Sequence, residues 1–150
     1  MYLTPEYKEI IELFNKYNVK FLVVGAYAMS AFGYSRSTYD IDLYIEKSDD
    51  NAINIVTALE DFGIGFEVNK KDFIEDNSII QIGVAPIRID ILTDIDGVMF
   101  EEVYKNKTLH DFGDVKAFII SIDDIIKNKK STNRLKDKID VEELMRIKEK

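Results

Sequence analysis

The sequence predicts an α+β domain, a mixed β-sheet with helices packed against it. Strand-length apolar windows and segments of helical periodicity follow one another in mixed order along the chain. Two β-rich windows, residues 78–84 and 87–92, are separated only by Ala85-Pro86, which suits a hairpin or adjacent strands rather than a strict strand-helix repeat. At 150 residues the chain falls in the usual range for one domain of roughly 100–200 residues. No linker, internal repeat or low-complexity run divides it.

Thr4-Pro5 reads as an N-cap followed by proline at the first helical position. Tyr7, Ile10, Ile11 and Phe14 then recur at helical spacing, predicting an amphipathic helix over about residues 5–17. Lys20 to Val24 is a short apolar run closed by Gly25, a buried strand, and Ala26 to Phe32 has the small-residue composition of a helix packed close to it. Tyr39 to Ile45 alternates polar and apolar residues as a strand does, and Ser48-Asp49-Asp50 caps a helix running to about Asp61. After the paired β-windows, Asp96-Gly97 marks a turn, Phe100 to Tyr104 a short helix and Val115 to Ile120 a strand. Ser121-Ile122-Asp123-Asp124 opens a capped helix with Ile122, Ile125 and Ile126 on one side, and a last helix starts at about Leu135.

Apolar residues make up 46% and charged residues 32% of the chain, the balance of an ordinary globular protein. The absence of cysteine excludes a disulfide framework, a thiolate zinc site and a thiol nucleophile, and predicts a reducing, cytoplasmic setting. Met1 to Glu6 has no basic stretch leading into an apolar run, and no segment approaches the ~20 apolar residues of a membrane span. The formal charge of −8, from 28 acidic and 20 basic residues, argues against a surface that attracts nucleic acid as a whole; an RNA substrate would need a local patch. Basic residues gather late, in Lys127, Lys129, Lys130, Arg134, Lys136 and Lys138, leaving the central third acidic.

The chemistry-bearing pattern lies in that acidic third. In Asp40-Ile41-Asp42-Leu43 the two-residue period of a strand sets both aspartates on one face and turns Ile41 and Leu43 to the packed face. Arg88-Ile89-Asp90-Ile91 repeats the logic, so adjacent strands would bring three acids together. Converging carboxylates repel and take up protons unless positive charge lies between them, and a hard divalent cation is the simplest remedy. Two ions about 3.5–4 Å apart can activate an attacking oxygen and stabilise a leaving pyrophosphate. An Asp-x-Asp alone is more often ordinary strand alternation.

The context of the motif is more specific. Val23-Val24-Gly25-Ala26-Tyr27-Ala28 is followed by the loop Gly33-Tyr34-Ser35-Arg36-Ser37-Thr38, with thirteen residues, Tyr27 to Tyr39, before Asp40. This stretch resembles the signature of the polymerase-beta-like nucleotidyltransferase superfamily, and Gly33, Arg36 and Thr38 look closest to its minimal nucleotidyltransferases and abortive-infection-type toxins. Asn128-Lys129, Arg134, Lys136-Asp137 and Asp140 resemble the C-terminal pattern of the same group, so the likeness covers nearly the whole chain. It implies a minimal nucleotidyltransferase fold, dependence on Mg²⁺ (or Mn²⁺), and transfer of a nucleoside monophosphate from a nucleoside triphosphate such as ATP to a hydroxyl of RNA, protein or a small molecule. It also raises a toxin–antitoxin or defence role with a partner protein. Two departures stand out: Ala26 lacks the hydroxyl that serine would offer there, leaving backbone N–H groups, and Asn133 replaces a glycine, a change softened by asparagine's tolerance of left-handed backbone.

The resulting candidates are Asp40, Asp42 and Asp90 as catalytic residues and metal ligands, with Asp90 also drawing the proton from the acceptor. Gly25, Ala26, Arg36, Lys129 and Arg134 are the candidate nucleotide-binding residues. Gly25 is assigned to close approach of backbone and phosphate. Arg36 has two open readings, a phosphate contact or a pairing with an acid such as Asp42. Lys129, Arg134 and Lys136 belong either to a phosphate or acceptor site or to a solvated basic face, and Asp137 and Asp140 pair more naturally with nearby cations than with metal. Asp94 and Asp96 beside Gly97 read as a turn, and His110 as a structural or surface residue, with no serine or cysteine motif to partner it. Tyr27, Tyr34 and Tyr39 are the aromatic residues placed near the site. The competing functional reading is a nucleotide-binding or regulatory module of the same fold without transfer.

Overall fold

Residues 2–150 are described by a computed structural model; Met1, at the head of the stretch read above for a leader, lies outside them. Among the described residues the chain forms six α-helices and a six-stranded mixed sheet. The helices are α1 (Pro5–Lys16), α2 (Gly25–Ala31), α3 (Asp49–Phe62), α4 (Phe100–Lys105), α5 (Ile122–Lys130) and α6 (Leu135–Lys148). The strands are β1 (Phe21–Val24), β2 (Asp40–Ile45), β3 (Ile79–Val84), β4 (Ile87–Leu92), β5 (Thr108–Asp111) and β6 (Lys116–Ile119). No helix of the described residues is long and apolar enough to cross a membrane.

Local chemistry sets most of these boundaries. The side chains of Thr4, Ser48 and Ser121 accept hydrogen bonds from the backbone N–H groups of Tyr7, Asn51 and Asp124 and so start α1, α3 and α5. Tyr7, Ile10, Ile11 and Phe14 are the buried stripe of α1, and every residue of β1 is buried. The paired β-windows are antiparallel neighbours, β3 and β4, in register from Ile79↔Leu92 to Val84↔Ile87.

The sheet order is β3-β4-β2-β1-β6-β5. β1 runs antiparallel to β2 and parallel to β6, while β2 and β4 are parallel neighbours. The β2–β4 register sets Asp42 opposite Asp90 and Asp40 opposite Arg88. Ile41, Leu43, Ile89 and Ile91 are sealed in the core, and with a period of two their polar neighbours emerge together on the opposite face.

Three features go beyond the sequence reading. β5 was not anticipated: it is an edge strand whose residues are mostly exposed, so it has no apolar alternation to betray it. A short 3-10 turn at Lys70–Phe73, capped by Asn69, was also missed. Asn133 does not use left-handed backbone, since among the described non-glycine residues a positive φ occurs only at Asn18 and Asn77.

Candidate active site

The three carboxylates meet. Asp40, Asp42 and Asp90 each offer an oxygen within 4.8 Å of the others, as the parallel β2–β4 register requires. Their surroundings differ sharply. The Thr38 hydroxyl donates to Asp40 Oδ1 at 2.6 Å. The Arg88 guanidinium bridges the other two acids, from Nη2 to Asp40 Oδ2 at 3.0 Å, Nε to Asp90 Oδ1 at 2.9 Å and Nη2 to Asp90 Oδ2 at 3.0 Å. No N–H, hydroxyl or cationic group of the described residues reaches the Asp42 carboxylate.

The titration of the three acids follows these contacts. Burial, then the charges of Asp40 and Asp90, push the Asp42 carboxyl up to about 7. Burial also raises Asp90, and Arg88 offsets only part of that. For Asp40, burial is outweighed by the hydrogen bonds from Thr38 and within the cluster and by the Arg88 charge, so its carboxyl is held below the ordinary range. Near neutral pH the cluster thus holds more negative charge than its one arginine balances.

Gly25 touches this cluster directly. Its φ is +70°, and a Cβ built there would lie 2.3 Å from Asp42 Oδ2. The glycine expected to admit phosphate is therefore needed first to admit the Asp42 carboxylate. An all-oxygen donor set, one member of it reached by no N–H, hydroxyl or cation, in a cradle that a methyl group would fill, fits a hard divalent cation.

Two cavities meet at Gly25, Asp42 and Lys129. One, of about 190 Å³, is also lined by Ala26, Arg36, Ser37, Thr38, Asp40 and Lys136. The other, of about 280 Å³, adds Arg134, Asn128, Asp94 and Asp96 and has apolar walls from Leu92, Ile95, Ile120 and Ile125. The candidates Gly25, Ala26, Arg36, Lys129 and Arg134 thus all border space next to the carboxylates, as does Lys136.

Arg36 does not pair with Asp42. Its guanidinium donates to Asp140 Oδ2 at 2.6 Å, where the Tyr34 hydroxyl donates to Oδ1 at 2.9 Å and Lys129 Nζ lies 2.9 Å from Oδ2. Lys129 also reaches Asp137 at 3.2 Å, and Asp137 accepts from Arg134 at 2.8 Å and from Thr132 at 2.6 Å. Asp137 and Asp140 are 2% and 1% exposed, so this network ties α5 and α6 to the Gly33–Tyr39 loop from inside. As expected, these acids pair with cations rather than join the metal candidates.

The remaining candidates separate cleanly. Tyr27 is buried edge-on against Tyr7 and Tyr34 is held by Asp140, leaving Tyr39, 66% exposed, as the free ring at the site. His110 lies on the edge strand β5 against Phe112. Asp96-Gly97 forms the expected turn, while Asp94 accepts from Lys47 and from the Asn77 N–H.

Two residues with a part in the site had been given no role. Arg88 stands two positions before Asp90, so strand alternation alone puts it on the acid face; the signal was present. Tyr7 was assigned only to the core, yet its hydroxyl donates to the Arg88 carbonyl at 3.0 Å and accepts from the Arg88 N–H at 3.2 Å. No protein-family model matches the chain, and no curated protein matches its sequence.

Proposed function

We propose that this protein is a metal-dependent nucleotidyltransferase, with a minimal nucleotidyltransferase fold, that moves a nucleoside monophosphate from a nucleoside triphosphate to a hydroxyl acceptor. The observation that carries this is the meeting of Asp40, Asp42 and Asp90 within 4.8 Å, with Asp42 beside Gly25 and without a cationic partner. A divalent cation held by Asp40, Asp42 and Asp90 would supply Lewis-acid stabilisation of the charge that develops on the transferring phosphate and the leaving pyrophosphate.

The chain's own residues divide the remaining work. Arg36, Lys129 and Lys136 make the smaller cavity the cationic one, which suits the phosphate chain, and Ser37 adds a neutral donor there. The larger cavity, with its apolar walls, suits a base or the acceptor. In the transfer the acceptor oxygen bonds to the α-phosphorus, the bond from that phosphorus to the oxygen bridging to the β-phosphorus breaks, and pyrophosphate leaves. The acceptor proton goes to a carboxylate. Both oxygens of Asp90 accept from Arg88, and each keeps a second lone pair that can take that proton.

The test is incubation with Mg²⁺ and each α-labelled nucleoside triphosphate in cell extract, following label into RNA, protein or small metabolites. Transfer is expected, and Asp42→Asn is expected to lower it roughly 10³-fold or more, the several kcal/mol that a Lewis-acid ion contributes. Absence of labelled product with every nucleotide and acceptor pool would sink the enzymatic reading. A second reading, a nucleotide-binding or regulatory module without transfer, draws on Ala26, which offers no hydroxyl, and on Arg88, which already compensates two of the acids. Metal-dependent nucleotide binding without product would favour it.

A further inference from the structure

We propose that Arg88 is the built-in counter-ion of the carboxylate cluster: it positions Asp40 and Asp90 when no cation is bound, and it sets cation affinity by competing for their oxygens. The inference rests on the metal reading of the site. Arg88 reaches both Asp40 and Asp90, each at hydrogen-bond distance, and those are two of the three residues that offer ligand oxygens. Its backbone is fixed on both sides by the Tyr7 hydroxyl, so the guanidinium is presented to the acids by the fold. The planar fork matches two carboxylates at once, which a lysine ammonium cannot do in the same way.

Two opposed effects follow from removing the guanidinium. Asp40 and Asp90 lose a partner that holds them convergent, which loosens the site. Against that, a unit positive charge that shares its oxygens with a divalent ion repels that ion strongly at this range, even with the screening usual near a protein surface. The repulsion is the larger of the two, because loosening costs only the ordering of two short side chains. A purely structural Arg88 predicts the opposite sign: its loss would scatter the ligands and weaken metal binding.

The experiment is titration of the whole, metal-stripped protein with Mn²⁺ alone, by calorimetry, at one pH and ionic strength, together with melting temperatures in EDTA. Arg88→Gln is expected to bind Mn²⁺ roughly tenfold or more tightly than the wild type, while its metal-free form melts lower. Arg88→Lys, which keeps the charge but loses the bridge, is expected to bind Mn²⁺ no more tightly than the wild type, and the neutral Arg88→Met decides the matter if Arg88→Gln does not fold. Wild type that binds Mn²⁺ while the neutral variants bind it equally or more weakly overturns the counter-ion role and leaves the metal reading standing. Wild type that binds no Mn²⁺ at millimolar concentration overturns both.

Discussion

Two clusters of charge lie side by side in this molecule, and they are built on opposite plans. Around Asp137 and Asp140, two buried carboxylates are met by three cations, Lys129, Arg36 and Arg134, and by the hydroxyls of Tyr34 and Thr132. Around Asp42, three carboxylates share one guanidinium and one threonine hydroxyl. The first cluster answers its own charge: burial pushes Asp137 up, but its hydrogen bonds and ion pairs win, and its carboxyl stays below the ordinary range. The second leaves Asp42 pushed up to about 7. An acid cluster whose charge is matched from within holds a fold together, whereas one whose charge is not matched has capacity left for a ligand.

The largest effect that would sharpen the contrast is on stability, at the satisfied cluster. Asp140→Ala leaves Arg36 without its carboxylate and Lys129 with Asp137 alone, and removal of one partner from a buried pair costs about 3–5 kcal/mol. Urea unfolding should read that loss in full. A loss below ~1 kcal/mol would mean that the network does not bind α6 to the loop as described.

Gly25→Ala comes next. The added methyl meets Asp42 Oδ2 at 2.3 Å in a backbone with φ +70°, a strain of about 1–3 kcal/mol. Because the clash falls on the unpartnered acid, Mn²⁺ affinity should drop along with stability. Unchanged affinity would separate Asp42 from the cation site.

The smallest effect is a pH slope whose sign is unusual for an aspartate. The folded Asp42 carboxyl keeps its proton up to about 7, whereas in the unfolded chain it releases it near ~4. Between those values the folded state binds more protons, so stability is highest at the acid end of the window and falls as pH rises toward 7. Asp90, also raised, acts in the same direction. Asp40 and Asp137, both lowered, lose their stabilising share only at more acidic pH. In EDTA, Asp42→Asn should therefore melt higher than the wild type at pH 8, by ~2–4 °C for each kcal/mol at this chain length, with the difference shrinking toward pH 5. Added Mn²⁺ should reverse the order. A constant difference across pH would show that Asp42 titrates normally.

Much of the fold was legible because its signals are local. Thr4-Pro5, Ser48 and Ser121 cap helices through bonds to N–H groups three residues on, a range that sequence spacing describes. Asp40-Ile41-Asp42-Leu43 is a strand with its acids on one face for the same reason. β5 escaped because an exposed edge strand carries no apolar period. The acid for Arg36 to find was equally out of reach: Asp140 lies 104 positions away.

What the chain determined by itself, then, is which residues share a face of one element, since backbone periods of two and 3.6 residues act over a few positions. It was enough to nominate Asp40, Asp42 and Asp90. Only the tertiary structure decided that β2 and β4 are parallel neighbours with Asp42 opposite Asp90, and that the positive charge among the acids comes from Arg88. It also decided that Gly25 makes room for a side chain of the protein's own. Those outcomes depend on strand order and register, which are set by how distant apolar faces bury one another, and no local period encodes that.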